Sequence, residues 1–392
     1  MSLVHAAVRA PPAAERPIRV MVVDDAVVAR SMMTRWVEAE PDMKVTAALR
    51  SGREALDQIE GNDPDVVLLD VDMPELDGIS ALPLLLAKKR DVVVIMVSTL
   101  TRRSAELSLR ALALGATDYI PKPETTYEAM TSAAFHSELI DKIRGLGPRR
   151  RFARPVAPLA PEPMAPQPRR PTPAARPAEL KPRRAEKPAI SLRPFAVTAP
   201  RALVIGSSTG GPQALTNLFE KLTAAIDRAP VLITQHMPPT FTTVLAEHLQ
   251  RVSGRGAHEA EHGEVVLAGG IYLAPGGRHM RVVRDGAIVR IALGDDPPIN
   301  FCRPSVDPLF SSAASVWGSG VLALVLTGMG SDGTAGAAEI VAAGGSVIAE
   351  DESSCVVWGM PRSVAQAGLC SAVLPLDQIA AKVLRLVSGG RL

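Results

Sequence analysis

One stretch of the sequence cannot contribute to a packed core, and it divides the chain into two parts. From Pro148 to Pro200 the chain carries 14 of its 34 prolines, 12 Lys or Arg residues and only 3 acidic residues. It shows no apolar periodicity, so we predict a disordered spacer with polyproline character. Its basic charge leaves two interpretations open: a solubilising tether, or an electrostatic contact with an acidic partner, a membrane surface or nucleic acid. The 392 residues are enough for a folded domain on each side of this linker.

Short apolar strands alternate with helical segments on the N-terminal side of the linker. Four of these strands each end in chemically active side chains: 18–23 in Asp24 and Asp25, 66–69 in Asp70, 92–97 in Ser98, and 119–120 in Lys122. The alternation predicts a doubly wound parallel sheet. Ligands of such sheets bind beyond the carboxyl ends of the strands, where these side chains would gather.

The neighbouring carboxylates of Asp24 and Asp25 repel each other unless a cation lies between them. Their hard oxygens suit Mg²⁺, which prefers a few carboxylates together with a phosphate. A lone acidic strand end is more often a solvated loop. Five polar residues at the ends of four successive strands favour a functional site instead.

This segment resembles the response-regulator receiver domain over roughly 19–144. The resemblance rests on Asp24-Asp25 and on the runs 69–74, 96–98 and 119–123. It implies a flavodoxin-like fold in which Asp70 accepts a phosphoryl group from a histidine kinase. It further implies that Asp24, Asp25 and Asp70 hold Mg²⁺ with the carbonyl of Asp72, and that Ser98 and Lys122 contact the phosphoryl oxygens.

A strand, a glycine-rich turn and a helix open the C-terminal part. The apolar run 202–205 leads into Gly206 to Pro212, and apolar residues recur at helical spacing over 213–222. Glycines permit a tight turn, Pro212 suits the first helical position, and a helix N-terminus directs N–H groups at a ligand. The turn suits a bound anion or a serine that attacks an ester; a purely structural turn is the third interpretation.

Two further strands place polar side chains beside this turn. His236 follows the strand 231–234, and Asp332 follows the strand 321–326. With Ser208 they would supply a nucleophile, a general base and an orienting carboxylate. Their chain order differs from the Ser, Asp, His order of α/β-hydrolases. A structural histidine and a phosphate-binding glycine nest around Asp332 are the competing interpretations. The stretch from Gly206 to Gly211 lacks the spacing and the lysine of a P-loop, and a nucleotide site would leave Ser208 and His236 without a role.

The C-terminal part resembles the CheB family of chemotaxis protein-glutamate methylesterases over about 201–386. The family's marks are the runs 205–211, 235–238, 272–276, 304–307, 327–333 and 357–361. The resemblance implies a Rossmann-like serine hydrolase with Ser208 as nucleophile, His236 as base and Asp332 as the acid that orients it. The backbone N–H of Met329 would line the oxyanion hole. The adjacent Ser207 leaves the choice of nucleophile open.

The resemblance also implies an activity and its control. The substrates would be γ-glutamyl methyl esters on the cytoplasmic helices of methyl-accepting chemotaxis receptors, hydrolysed to glutamate and methanol, and certain receptor glutamines would be deamidated. A chemotaxis histidine kinase would be the phosphodonor. The unphosphorylated receiver would cover the triad, and phosphorylation of Asp70 would open it. The ester reaction would need no cofactor.

Composition narrows the remaining classes. Aromatic residues make up only 3% of the chain, which argues against base-stacking platforms, and we expect no nucleic-acid partner. Cys302, Cys355 and Cys370 fit no metal spacing, and we expect reduced thiols that mostly serve packing. No apolar run reaches membrane-spanning length, so we expect a cytoplasmic monomer without membrane insertion.

We therefore expect two α/β domains with doubly wound parallel sheets. The expected boundaries are a lead at 1–17, a receiver domain at 18–145, the linker at 146–200 and a catalytic domain at 201–388. Two alternatives remain: a catalytically silent adaptor of receptor arrays, and a DNA-binding response regulator supported only by the basic linker.

Overall fold

The computed structural model describes residues 16–122, 132–147 and 190–389. Most of the expected lead and most of the expected linker lie outside the described residues, which leave out 1–15 and 148–189.

The N-terminal domain is built on a five-stranded sheet. Its strands are β1 (Ile18–Val23), β2 (Met43–Leu49), β3 (Val66–Asp70), β4 (Val93–Thr99) and β5 (Asp118–Lys122). They lie in the order β2-β1-β3-β4-β5, and every neighbouring pair is parallel. The doubly wound sheet predicted from the alternation is confirmed.

In the described part of this domain, five helices pack on the sheet. They are α1 (Val27–Ala39), α2 (Gly52–Asn62), α3 (Gly78–Lys88), α4 (Arg102–Ala113) and α5 (Ala133–Leu146). All but α1 begin at a side chain that accepts a hydrogen bond from the first turn, namely Ser51, Asp77, Thr101 and Ser132. Such N-caps each stabilise a helix by about 1 kcal/mol, so the sequence itself sets these helix starts.

The C-terminal domain contains a seven-stranded sheet and a separate hairpin. The sheet strands are β6 (Ala202–Ser207), β7 (Val231–Gln235), β8 (Ala257–Glu259), β9 (Ile271–Leu273), β12 (Val321–Val325), β13 (Ser346–Glu350) and β14 (Ala372–Leu374). The hairpin joins β10 (His279–Asp285) to β11 (Ile288–Gly294). The sheet order is β14-β13-β12-β6-β7-β9-β8, and all its pairs are parallel.

Helices cover both faces of the larger sheet. They are α6 (Gly211–Phe219), α7 (Thr223–Ile226), α8 (Phe241–Ser253), α9 (Val306–Trp317), α10 (Thr334–Ala342), α11 (Met360–Gln366) and α12 (Leu376–Val387). Strand β6 illustrates the two faces, because Leu203 and Ile205 pack in one apolar cluster and Ala202 and Val204 in the other. Its side chains alternate between the faces, as the period of a strand requires.

The end of the expected linker belongs structurally to the C-terminal domain. The backbone N–H of Arg193 donates to the carbonyl of Cys370 at 2.9 Å, and that of Ala196 donates to Ser346 Oγ at 2.8 Å. The ammonium group of Lys382 lies 4.4 Å from the ring centre of Phe195. The chain therefore joins this domain about eight residues before the boundary expected at 201.

The two domains pack directly against each other. The Tyr119 ring of β5 stacks on Phe241 of α8, with ring centres 4.8 Å apart and planes 6° from parallel. Arg102 of α4 forms an ion pair with Glu247 of α8 at 2.7 Å. Apolar side chains of both domains belong to one continuous cluster. The interface thus has an apolar centre with an ion pair at its exposed edge.

Helix α5 of the N-terminal domain makes a second contact with the C-terminal domain, at Met329. A Cβ added at Gly145 would lie 2.5 Å from Met329 Cε, so the methionine side chain is seated directly on the helix backbone. Among the described helices, none is long and apolar enough to cross a membrane.

Candidate active site

Three neighbouring strands bring the predicted catalytic residues to one edge of the larger sheet. Strand β6 lies between β12 and β7. Ser208 follows β6, His236 follows β7, and the loop 327–333 follows β12. Because the strands are parallel, their carboxyl ends lie side by side, which is where a doubly wound sheet forms its site.

The two adjacent serines have different environments. Ser207 is completely buried, and its hydroxyl donates to Gln235 Oε1 at 2.7 Å. Ser208 is half-buried on the turn, with its Cβ close to Gly328. A buried hydroxyl that already has a partner cannot reach a substrate. The geometry therefore favours Ser208 as the nucleophile.

Gln235 connects the nucleophile turn to the histidine. Its Nε2 donates to the carbonyl of Ser208 at 2.9 Å and to the carbonyl of His236 at 3.2 Å. Its Oε1 accepts from Ser207, so the buried amide has partners at both ends. Each of these bonds is worth about 1 kcal/mol in a folded protein. Gln235 therefore fixes the positions of both backbone segments.

Asp332 is buried and surrounded by hydrogen-bond donors. His236 Nε2 donates to its Oδ2 at 2.7 Å, and the backbone N–H of Val306 donates to the same oxygen at 2.7 Å. Its Oδ1 accepts from the Ser305 hydroxyl at 2.8 Å and from the backbone N–H of Gly333 at 3.0 Å. Burial would raise the pKa of Asp332, but His236 and the donors of the 305–306 turn hold it below its ordinary value.

His236 has a second polar neighbour on its other side. Its Nδ1, the nitrogen that Asp332 leaves free, lies 3.4 Å from Cys302 Sγ. Burial would lower the pKa of His236, but the hydrogen bond to Asp332 and the contact with Cys302 raise it to about 10. These contacts favour the imidazolium, which is the state a general base reaches after it has accepted a proton.

The loop that carries Met329 is held against the serine turn. The backbone N–H of Ser208 donates to the carbonyl of Thr327 at 3.0 Å, and the Thr327 hydroxyl donates to the carbonyl of Thr209 at 2.9 Å. The backbone N–H of Thr327 donates to the buried carboxyl group of Glu350 at 2.8 Å. Met329 follows two residues later, half-buried between Gly328 and Gly330. The loop therefore has a fixed position beside Ser208.

The N-terminal domain gathers a second set of predicted residues. Carboxylate oxygens of Asp24, Asp25 and Asp70 lie within 4.8 Å of one another. Lys122 Nζ forms ion pairs with Asp24 Oδ2 at 2.7 Å and with Asp70 Oδ1 at 2.9 Å. Three carboxylates share one ammonium group, so the cluster has an excess of negative charge. That excess and its hard oxygen atoms fit a divalent cation such as Mg²⁺.

Burial and the neighbouring charges shift the pKa of Asp70. Burial raises its pKa, the ammonium of Lys122 lowers it and the charge of Asp24 raises it again, to about 6 overall. The pKa of Lys122 is raised despite its burial, because Asp70 and Asp24 stabilise the ammonium.

The remaining predicted receiver residues lie at the edges of this cluster. Asp72 is exposed on the loop after β3. Ser98 is buried, and its hydroxyl lies 2.9 Å from the Ser108 hydroxyl. In this arrangement the partner of Ser98 is therefore α4.

Sequence reasoning missed several residues that build the catalytic site. Cys355 and Cys370 are buried as expected of packing thiols, whereas Cys302 is only half-buried and contacts the histidine. Gln235 and Ser305 fall inside the quoted motifs, but nothing in the motifs assigned them a role. A polar residue next to a catalytic one, in a run with few other polar residues, is the signal that could have found Gln235.

Two protein families match separate parts of the chain. Residues 203–383 match the family model described as CheB methylesterase, and residues 20–134 match the response regulator receiver domain. A protein of Rhodopseudomonas palustris (strain BisB5), named protein-glutamate methylesterase/protein-glutamine glutaminase, is 60% identical over 96% of this chain and 95% of its own length. A Bradyrhizobium diazoefficiens protein of that name, from the group 2 operon, is 62% identical over the same shares.

A solved structure is also similar. The crystal structure of the Thermotoga maritima CheB methylesterase catalytic domain is 43% identical, with a TM-score of 0.47, and the match covers 48% of this chain and all of that one.

Proposed function

The chain belongs to the CheB methylesterase family, and from that membership we propose that it is a phosphorylation-controlled protein-glutamate methylesterase and protein-glutamine glutaminase. Its substrates are methyl-accepting chemotaxis receptors, and its phosphodonor is a chemotaxis histidine kinase. One observation carries the catalytic part of the proposal: a half-buried serine, a histidine and a fully hydrogen-bonded aspartate lie at three adjacent strand ends. This is the set of roles that nucleophilic hydrolysis requires.

In the first half of the reaction, Ser208 Oγ attacks the carbonyl carbon of the glutamyl ester while His236 accepts the hydroxyl proton at Nδ1. The backbone N–H of Met329 donates to the oxyanion. Methoxide then leaves with the proton from His236 as methanol, and a glutamyl ester of Ser208 remains. General base catalysis contributes about 10²- to 10⁴-fold, and one oxyanion donor about 10²- to 10³-fold.

In the second half, a water molecule attacks the glutamyl ester and gives a proton to His236. The bond between the acyl carbon and Ser208 Oγ breaks, the serine regains its proton, and glutamate is released. A glutamine substrate follows the same path with ammonia as the leaving group. Asp332 stays ionised throughout and stabilises the imidazolium.

The docked receiver domain restricts access to this site. Met329, which would supply the oxyanion donor, has its side chain against Gly145 of α5. A helix with its side chains is about 10–12 Å wide, so α5 in this position would hinder the approach of a receptor helix to Ser208. Phosphorylation of Asp70 shifts the population towards an arrangement in which the interface of α4 and β5 with α6 and α8 is released.

Asp24, Asp25 and Asp70, with the carbonyl of Asp72, would hold Mg²⁺ in the receiver domain. Bound there, the cation neutralises charge on the transferring phosphoryl group. Lys122 lies between Asp24 and Asp70 and can bind the phosphoryl oxygens directly. Ser98 would do so after exchanging its hydrogen bond with Ser108.

The test is methanol release from a methylated receptor. The full-length wild-type chain should release methanol, Ser208→Ala should lower the rate by at least about 10⁴-fold, and Ser207→Ala should keep it within about tenfold. Full activity in Ser208→Ala would contradict the assignment of the nucleophile. No release by the wild-type chain, despite binding to the receptor, would instead favour the silent adaptor.

A further inference from the structure

A tight turn beside the catalytic histidine carries an aromatic side chain in an unfavourable backbone conformation. The backbone groups of Ile299 and Cys302 exchange two hydrogen bonds, of 3.1 and 2.8 Å, so Asn300 and Phe301 form the two-residue tip between them. Both tip residues have positive φ, 51° at Asn300 and 63° at Phe301. Two positive values are the signature of a type I′ turn, which prefers Asn followed by Gly. Asn300 fits that preference, and Phe301 stands where glycine is favoured.

The Phe301 side chain is also fully exposed. A single exposed apolar residue needs no explanation by itself. Here, however, a bulky residue is kept in the left-handed region without any packing contact to compensate for the strain. Conformational strain of this kind persists where the surrounding structure imposes it, and it is common at functional sites.

The surroundings do impose it. Asn300 Nδ2 donates to Asp332 Oδ1 at 3.4 Å and to Asp307 Oδ2 at 3.5 Å. At the other end of the tip, Cys302 Sγ lies 3.4 Å from His236 Nδ1. The turn is thus tied to the orienting acid and to the base, and Phe301 lies between these two attachments.

We propose that Phe301 is a substrate-recognition residue, which binds the apolar surface of the receptor helix next to the ester-bearing glutamate. This inference rests on the proposed function. Phe301 and Cys302 are adjacent, so their Cα atoms are about 3.8 Å apart. A substrate that binds Phe301 is therefore held close to the point where Cys302 contacts His236. In the proposed function the substrate glutamate lies on a receptor helix, and an exposed ring would offer an apolar face of that helix a large contact area at low entropic cost.

The exposure of Phe301 coexists with the docked receiver domain. The ring is accessible although Met329 is covered by α5. Phe301 can therefore bind the receptor before the domains separate, and it retains the substrate while the site opens.

The experiment compares a large and a small substrate in the full-length chain. Phe301→Gly should lower kcat/KM for methanol release from methylated receptor by about 10- to 100-fold, mainly through KM, because burial of one aromatic ring is lost. Hydrolysis of N-acetyl-glutamate γ-methyl ester should stay within about threefold, since this small ester cannot span the turn and the site. Phe301→Leu should keep most of the activity on receptor.

The same glycine variant also separates recognition from a structural role. Glycine suits the positive φ, so Tm should stay the same or rise while receptor activity falls. Leu267→Ala is the matched control, because Leu267 is another exposed apolar residue of this domain but precedes β9 at the opposite end of the sheet. It should leave both substrates unaffected.

Two results would overturn the inference: receptor kcat/KM within twofold of wild type in Phe301→Gly, or an equal loss on both substrates. Failure of the proposed function itself would look different, because the wild-type chain would then release no methanol from receptor.

Discussion

Asp70 in the N-terminal domain and Asp332 in the C-terminal domain are both buried at or beyond the carboxyl end of a parallel strand, yet the pKa values of their carboxyl groups are shifted in opposite directions. Asp70 and Asp332 are 6% and 2% exposed. Burial raises the pKa of Asp70, and with the charge of Asp24 it reaches about 6. The pKa of Asp332 lies below its ordinary value, because His236 and several donors outweigh the effect of burial. Similar burial with opposite pKa shifts means that the neighbouring groups decide the charge state of each carboxyl group.

Asp70 and Asp332 also differ in how completely their carboxylate oxygens are hydrogen-bonded. Asp70 shares the ammonium of Lys122 with Asp24, so its oxygens keep room for a cation and a phosphoryl group. Asp332 has donors on both oxygens and needs nothing further. The first arrangement suits reversible modification. The second suits the orientation of a base.

The largest expected effect tests the completeness of the Asp332 site. Asp332→Asn should lower kcat for methanol release by about 10⁴-fold, because the amide no longer stabilises the imidazolium. It should also lower the pKa of His236, since the carboxylate that raises it is lost. Steady-state rates and histidine titration by NMR measure the two effects. A loss smaller than tenfold in a folded variant would show that Asp332 does not orient the base.

The second effect tests the raised pKa of Asp70, a shift opposite in direction to that of Asp332. A carboxyl group whose pKa is raised on folding stabilises the protein below its unfolded value, near 3.8, and loses that contribution as the pH rises through about 6. At pH 7 the ionised Asp70 therefore costs the fold about 2–3 kcal/mol. Asp70→Asn should raise the free energy of unfolding by that amount at pH 7 and by almost nothing below pH 4. Urea unfolding at both pH values measures it.

Two comparisons sharpen this second test. Mg²⁺ should stabilise the wild-type chain, because the cation relieves the repulsion between the carboxylates. The difference in the free energy of unfolding between the wild-type chain and Asp70→Asn should therefore become smaller. Asp57→Asn changes an exposed aspartate of α2 and should be neutral at both pH values. If Asp70→Asn destabilised the domain at pH 7, the carboxylates would not be crowded as described.

Much of both sites was predictable because parallel strands place their ends together. Once 202–205, 231–234 and 321–326 are recognised as strands, Ser208, His236 and Asp332 must approach the same edge. The shared edge follows from chain connectivity and needs no knowledge of packing. The same argument placed Asp24, Asp70 and Lys122 in one cluster.

What the sequence concealed depends on contacts between distant segments. The contact of Cys302 with His236 joins residues 66 positions apart, and no motif in the sequence pairs them. The seat of Met329 on Gly145 depends on how two domains dock. The packing of Phe195 against Lys382 made residues 193–200 part of the domain, although their prolines indicate a linker. No local pattern encodes these contacts.

The third effect tests how the two sites communicate. Gly145→Leu should weaken docking by about 1–2 kcal/mol, because its side chain must displace Met329. Methanol release by the unphosphorylated full-length chain should then rise by up to about tenfold. Gly61→Leu is the matched control, since Gly61 is also a helical glycine of the receiver domain and a Cβ there meets nothing within 4 Å. Equal rates in the two variants would mean that α5 does not restrict the site.

The smallest effect concerns the contact that distinguishes His236 from a base held by an aspartate alone. Cys302 Sγ lies beside the free nitrogen and helps to raise the pKa of His236 to about 10. The base works only when deprotonated, so activity rises with pH through this pKa. Cys302→Ala removes one of the groups that raise the pKa. The rising limb of the kcat/KM profile should therefore move to lower pH by up to about one unit, and activity at pH 7 should increase several-fold.

Cys370→Ala is the control: it changes a buried thiol in the apolar core and should leave the rising limb at the same pH even if it lowers Tm. A limb that does not move in Cys302→Ala would leave Asp332 as the dominant influence on the base and reduce Cys302 to a packing residue after all.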